Sequence, residues 1–137
     1  MKKIALLIIC LVIAACAATD GSEESRKATA VQDYIEVNEL ESVSSIRTRA
    51  DGTLSSYEIN DTFLLVSTKR EDYLLEYFSR CLRNMDGRVE PDIRRDARRI
   101  YAGADTFRGC RIKELYSLDP AQADELREIG ESVGARR

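Results

Sequence analysis

The apolar run from Ile4 to Ala15 constrains this chain more than any other stretch, because it decides which chemistry the cysteines meet. It follows the basic start Met1-Lys2-Lys3 and is 12 residues long. A permanent membrane-spanning helix needs about 20 apolar residues, so the run is too short to serve as one. A basic start, a short apolar core and small residues at its end predict an export signal over residues 1–15. Export places the rest of the chain in an oxidising compartment, where paired thiols form disulfides. Of the four cysteines, Cys10 lies inside the signal and Cys16 at its edge, which leaves Cys81 and Cys110 in the body. That even pair predicts a disulfide, Cys81–Cys110. Redox catalysis favours Cys-x-x-Cys, whereas these two are 29 positions apart. A metal site is the weaker reading, since the chain has no histidine and two thiolates alone hold zinc poorly.

Cys16 has its own context. Ile13-Ala14-Ala15-Cys16 resembles the lipobox of bacterial lipoprotein signals, in which the cysteine thiol is acylated and the chain is cut just before it. Cys10 follows the bulky Ile9 and fits that pattern less well. The same residues also satisfy ordinary signal cleavage, through small Ala15 and Ala17 around Cys16, and that alternative would release a soluble protein. Lipidation of Cys16 is the expectation carried forward. Several acyl chains on one terminus make a stable anchor, because each buried methylene contributes roughly 0.8 kcal/mol. In Gram-negative lipoproteins an Asp after the cysteine signals inner-membrane retention. Ala17 stands there in this chain, so the resemblance implies the periplasmic face of the outer membrane.

Beyond the signal, "DGSEESRKATA" at 20–30 is polar and without hydrophobic periodicity, and residues 16–30 read as a flexible tether. A folded domain over 31–130 and a disordered tail over 131–137 complete the organisation. Charge is uneven: residues 80–111 hold nine arginines against five acids, whereas the whole chain is at −3. An acidic exported chain argues against nucleic acid as a partner.

Val31, Tyr34, Ile35 and Asn38 fall on one helical face and predict a short helix. Alternation in "SVSSIRTR" predicts a weak strand, and "ADGT" at 50–53 a turn. "LSSYEI" and "TFLLVST" flank Asn60-Asp61 and predict a hairpin. Phe63 to Val66, apolar without interruption, suits a strand covered on both faces. The stretch from Lys69 to Gly87 is ambiguous. Leu74, Tyr77, Phe78, Cys81, Leu82 and Met85 fit a helix, with Thr68 and Glu71 as a capping box, yet Tyr73, Leu75 and Tyr77 alternate as a strand. "RIKELYSL" at 111–118 reads as a strand near a sheet edge. Asp119, Pro120 and Gln122 then start a helix with Leu126 and Ile129 on its apolar face and Gly130 as its stop.

"DYLLEYFSRC" at 72–81 and "DTFRGCRIKELYSLD" at 105–119 resemble a family of short, uncharacterised lipoproteins of Gram-negative bacteria, a domain of unknown function, from Ser44 onward. The resemblance implies a small single α+β domain with an antiparallel sheet and two linked cysteines, between a short N-terminal helix and a C-terminal one. It tips the ambiguous stretch toward a strand followed by a helical turn after Cys81, and it implies no known activity.

No nucleophile elbow, phosphate-cradling glycine loop or zinc-binding helix is present, and without histidine the commonest general base is missing. Paired carboxylates can still hydrolyse glycosidic bonds, with Glu71, Asp72, Glu76 and Asp105 as the nearest candidates. Arg94, Arg95, Arg98 and Arg99 would share one side of a helix, a face suited to anionic groups such as lipid phosphates near the anchor. Tyr57, Tyr73 and Tyr77 are candidates for an aromatic surface that meets an envelope protein. The sequence therefore predicts a lipid-anchored, non-catalytic binding or accessory module without cofactor. A carboxylate hydrolase and an anionic-lipid binder are the alternatives.

Overall fold

A computed structural model of the chain describes residues 20–48, 54–81 and 98–132. Their elements, in chain order, are α1 (Asp20–Val37), β1 (Ser45–Arg47), β2 (Ser55–Glu58), β3 (Phe63–Ser67), β4 (Asp72–Tyr77), β5 (Arg99–Tyr101), β6 (Thr106–Phe107), β7 (Cys110–Leu118) and α2 (Pro120–Ser132). One antiparallel sheet has the order β2-β3-β4-β7-β6, and β1 pairs with β5 in a two-stranded ribbon. The small α+β domain expected from the sequence is the one observed.

The apolar run at β3 organises the layers. Successive strand side chains point to opposite faces, so four consecutive buried residues require cover on both. Phe63 and Leu65 join Leu74 and Leu118 beneath Val31 and Ile35 of α1 and Ala123 and Leu126 of α2. Leu64 and Val66 join Tyr73, Leu75 and Leu115 on the opposite face, against Ile46 of β1 and Ile100 of β5. Two helices cover one side and the ribbon covers the other. Each fully buried Leu or Val contributes roughly 1.5–3 kcal/mol.

The large sheet also curls. Arg108, in the β6–β7 turn, donates from Nη2 to Ser56 Oγ of β2 at 2.7 Å and lies 3.5 Å from Glu58, so the two ends of the strand order meet. Phe107 and Cys110 pair across a two-residue turn in which Arg108 and Gly109 have φ of 54° and 81°. Positive φ at both positions matches the twist of a tight hairpin, and Gly109 adopts it without a Cβ penalty.

Several expectations change on folding. The helix expected from Val31 begins at Asp20, inside the stretch read as tether. Hydropathy does not reveal this, because the first turns are held by Glu24, which accepts from the Asp61 amide at 3.2 Å, and by a Lys27–Glu23 pair one turn apart at 3.3 Å. Ala28 then packs on the core. Within the ambiguous stretch, Asp72–Tyr77 form a strand, β4, and Thr68 and Glu71 close its hairpin with β3 instead of capping a helix. The turn at 50–53, the helical turn after Cys81 and the tail from 133 lie outside the described residues. β7 sits one strand in from the edge, between β4 and β6. Asp119 and Gln122 do cap α2 reciprocally: the Gln122 amide donates to Asp119 Oδ1 at 2.8 Å and the Asp119 amide to Gln122 Oε1 at 2.9 Å.

Gly130 does not stop α2, which continues to Ser132. A Cβ there would stand 3.1 Å from Tyr57 Oη, so its small size lets the helix approach β2. Gly130→Leu is expected to cost about 1–3 kcal/mol by overpacking. Tyr57→Ala in the same chain should recover part of that loss in urea denaturation.

Cys81 and Cys110 are disulfide-bonded with Cα atoms 5.6 Å apart, which ties the segment after β4 to the start of β7. Closing a loop of this separation stabilises by roughly 3–4 kcal/mol on the chain-entropy account. Paired Cys81→Ser and Cys110→Ser substitutions should lower the unfolding free energy by about that amount, measured by chemical denaturation without reductant.

Candidate functional site

The β3–β4 hairpin ends in a tight turn. The Thr68 amide donates to the Glu71 carbonyl at 2.9 Å, and Thr68 Oγ1 accepts from the amides of Glu71 at 3.1 Å and Arg70 at 3.4 Å. A hydroxyl bonding its own turn is what makes threonine suit this position. It leaves Lys69 and Arg70 at the tip, both exposed. Beside them, β1 ends with exposed Arg47 and buried Thr48, whose amide donates to the Arg98 carbonyl at 2.9 Å. Between the hairpin and the end of β1 lies a cleft of about 530 Å³, lined among the described residues by Arg47, Thr48, Thr68, Lys69, Arg70 and Glu71. Its volume falls within the range of small-molecule sites, about 300–1,000 Å³.

Among the described residues, three cations and one acid line this cleft. The acid is engaged, since Glu71 Oε2 accepts from the Tyr73 hydroxyl. Burial, then that hydrogen bond and the Glu71 charge, push the Tyr73 pKa up to about 12, so the phenol stays a donor at physiological pH. Among the described residues, Arg47, Lys69 and Arg70 form no salt bridge. The cleft can therefore offer guanidinium and ammonium donors to an anion, and guanidinium forks match carboxylate and phosphate oxygens.

The arginine face expected over 94–99 is not built as a helix where it is described. Arg98 lies in a turn and Arg99 opens β5, directly across from Arg47, with its Nη1 donating to Ser45 Oγ at 3.1 Å. Backbone pairing with β1 makes Arg99 extended. Arg94, Arg95 and Cys16 lie outside the described residues. Arg47, Lys69 and Arg70 were not singled out from the sequence. The signal was present in "STKRED", two polar basic residues between strands, but the ambiguity of the following stretch hid the hairpin.

The candidate carboxylates are dispersed. Asp72 accepts from Ser67 Oγ, and Asp105 accepts from the Tyr101 amide at 2.8 Å, closing the β5–β6 turn. Glu76 is buried, at 5 % exposure, and bonds Lys113 Nζ at 2.6 Å and the Tyr116 hydroxyl at 3.3 Å. Directly across from it stands Glu114, which accepts from Ser42 Oγ at 2.7 Å. Like charges facing each other across strands repel, and Lys113 and Ser42 offset that repulsion. The aromatic surface does not form either. Tyr73 and Tyr77 are buried on the ribbon side, and Tyr57 packs against Gly130. Among the described residues no cluster of three or more cysteine, aspartate or glutamate side chains is arranged to hold a metal.

Burial first, then the Glu76 and Glu114 charges and the Glu76 hydrogen bond, push Tyr116 up to about 12, and burial with a Glu125 bond raises Tyr34 further. A free phenol loses its proton near pH 10. Between pH 10 and 12 the unfolded chain has released protons that the fold retains, so stability falls as pH rises through that window. An alkaline titration of the melting temperature should show this loss, and Tyr116→Phe should reduce its steepness.

No curated protein and no solved structure matches the chain. A model of a family of unknown function, DUF6491, matches residues 1–131, and the chain belongs to that family.

Proposed function

We propose that the protein is a cell-envelope lipoprotein, anchored through Cys16 to the periplasmic face of the outer membrane, that binds an anionic component without catalysing a reaction on it. The observation that carries the binding reading is the cleft of about 530 Å³ lined by Arg47, Lys69 and Arg70, none salt-bridged among the described residues. The address rests on the basic start, the short apolar run and the lipobox-like residues before Cys16.

Two measurements test the parts separately. The intact mass of protein extracted from membranes should carry acyl chains on Cys16, and an unmodified mass would refute the anchor. For the cleft, calorimetric titration with inorganic pyrophosphate compares the wild type with the combined variant Arg47→Gln, Lys69→Gln, Arg70→Gln. Binding should weaken at least tenfold while the unfolding free energy changes by less than about 0.5 kcal/mol per site, as for exposed side chains outside any network. Equal affinity in the variant, or no binding by the wild type, would overturn the reading.

A further inference from the structure

Glu71 lines the same cleft as Arg47, Lys69 and Arg70, yet among the described residues it is paired with none of them. Its carboxylate accepts instead from the Tyr73 hydroxyl. A neutral phenol is a weaker partner for a carboxylate than a guanidinium fork, so charge alone does not explain the choice. The backbone of Glu71 is fixed by the hairpin turn: its carbonyl accepts from the Thr68 amide at 2.9 Å, and its amide donates to Thr68 Oγ1 at 3.1 Å. Only side-chain torsions are left to decide where the carboxylate goes. Tyr73 lies two residues on, the spacing that puts side chains on one face of a strand. Its ring is held in the layer under the β1–β5 ribbon, at 8 % exposure. Its strand is paired on both sides, with Val66 of β3 and Ser117 of β7 as the partners of Tyr73. A donor fixed by the core loses little further freedom when it holds a carboxylate. The exposed Arg47, Lys69 and Arg70 side chains would each give up rotamers to do the same.

We infer that Tyr73 is a positioning residue for the anion site: by holding the Glu71 carboxylate it keeps the cleft's own acid off Arg47, Lys69 and Arg70 and leaves those cations to a ligand. The inference rests on the anion-binding reading and deepens it, since it names what keeps the site open. Without the phenol hydroxyl, Glu71 becomes an internal competitor for the same guanidinium and ammonium groups. Exposed ion pairs are weak, so this competition lowers anion affinity by a factor of about two to five and does not abolish the site.

The test is a double-mutant cycle on the full chain, with inorganic pyrophosphate as probe and calorimetric titration as readout. Tyr73→Phe keeps the ring in the core and removes only the hydroxyl. It should weaken binding about two- to fivefold. Adding Glu71→Gln to it should bring the dissociation constant back to the wild-type value or below. In the wild-type background Glu71→Gln should strengthen binding by a smaller factor, because there the acid is already held. Urea denaturation of each variant separates stability from affinity. A phenol that only serves the core would lower the unfolding midpoint of Tyr73→Phe and leave no affinity loss for Glu71→Gln to reverse. Equal affinities of wild type and Tyr73→Phe, a loss that Glu71→Gln does not restore, or the same effect of Glu71→Gln in both backgrounds would overturn the inference while anion binding stands. No binding by the wild type would instead refute the anion-binding reading itself.

Discussion

Burial of the central strands on both faces is the constraint from which the rest of the structure follows. Phe63 to Val66 and Tyr73 to Leu75 form a block of adjacent strands whose side chains alternate between two apolar layers. A small domain has few elements with which to cover two faces. Here α1 and α2 take one and the β1–β5 ribbon takes the other. This need explains why a three-residue strand such as β1 is kept at all: Ile46, at 1 % exposure, and Ile100 opposite it close the second layer.

The same arrangement creates the cleft. To cover the sheet, the ribbon must end near the β3–β4 hairpin, which brings Arg47 beside Lys69 and Arg70 although they are distant in sequence. Sheet register places Arg99 across from Arg47, so positive charge gathers at this end in a chain whose overall charge is −3. Cations that the fold brings together raise the local potential, and such sites attract anions. At the same time the buried Glu76, which composition alone would make a reactive candidate, is bound to Lys113 and Tyr116 and joins β4 to β7.

Arg108 and the disulfide act on the curl. Arg108 bridges to Ser56 and Glu58 on the first strand of the order, while Cys110, two residues on, is bonded to Cys81. Both tie the β6–β7 turn to residues outside its own hairpin. β2 is an end strand of the sheet, and side-chain bridges to it limit pairing with other chains.

Local chemistry made much of this legible in advance. The Asn60-Asp61 hairpin, the doubly covered strand at Phe63, the cap at Asp119 and the Cys81–Cys110 pair each depend on neighbouring residues or on simple pairing, and sequence alone determined them. The class of the domain followed from the resemblance of its motifs. Tertiary structure decided the rest. Asp72–Tyr77 lie in a stretch that fits helix and strand equally, and pairing with β3 and β7 selected the strand there. The polar start of α1 is helical because Asp61 and the core receive it, and Gly130 is a point of close approach because Tyr57 lies beside it. The cleft was hidden for the same physical reason. Periodicity reports what one element buries, whereas a site made from the ends of β1 and a hairpin exists only once the sheet has brought them together.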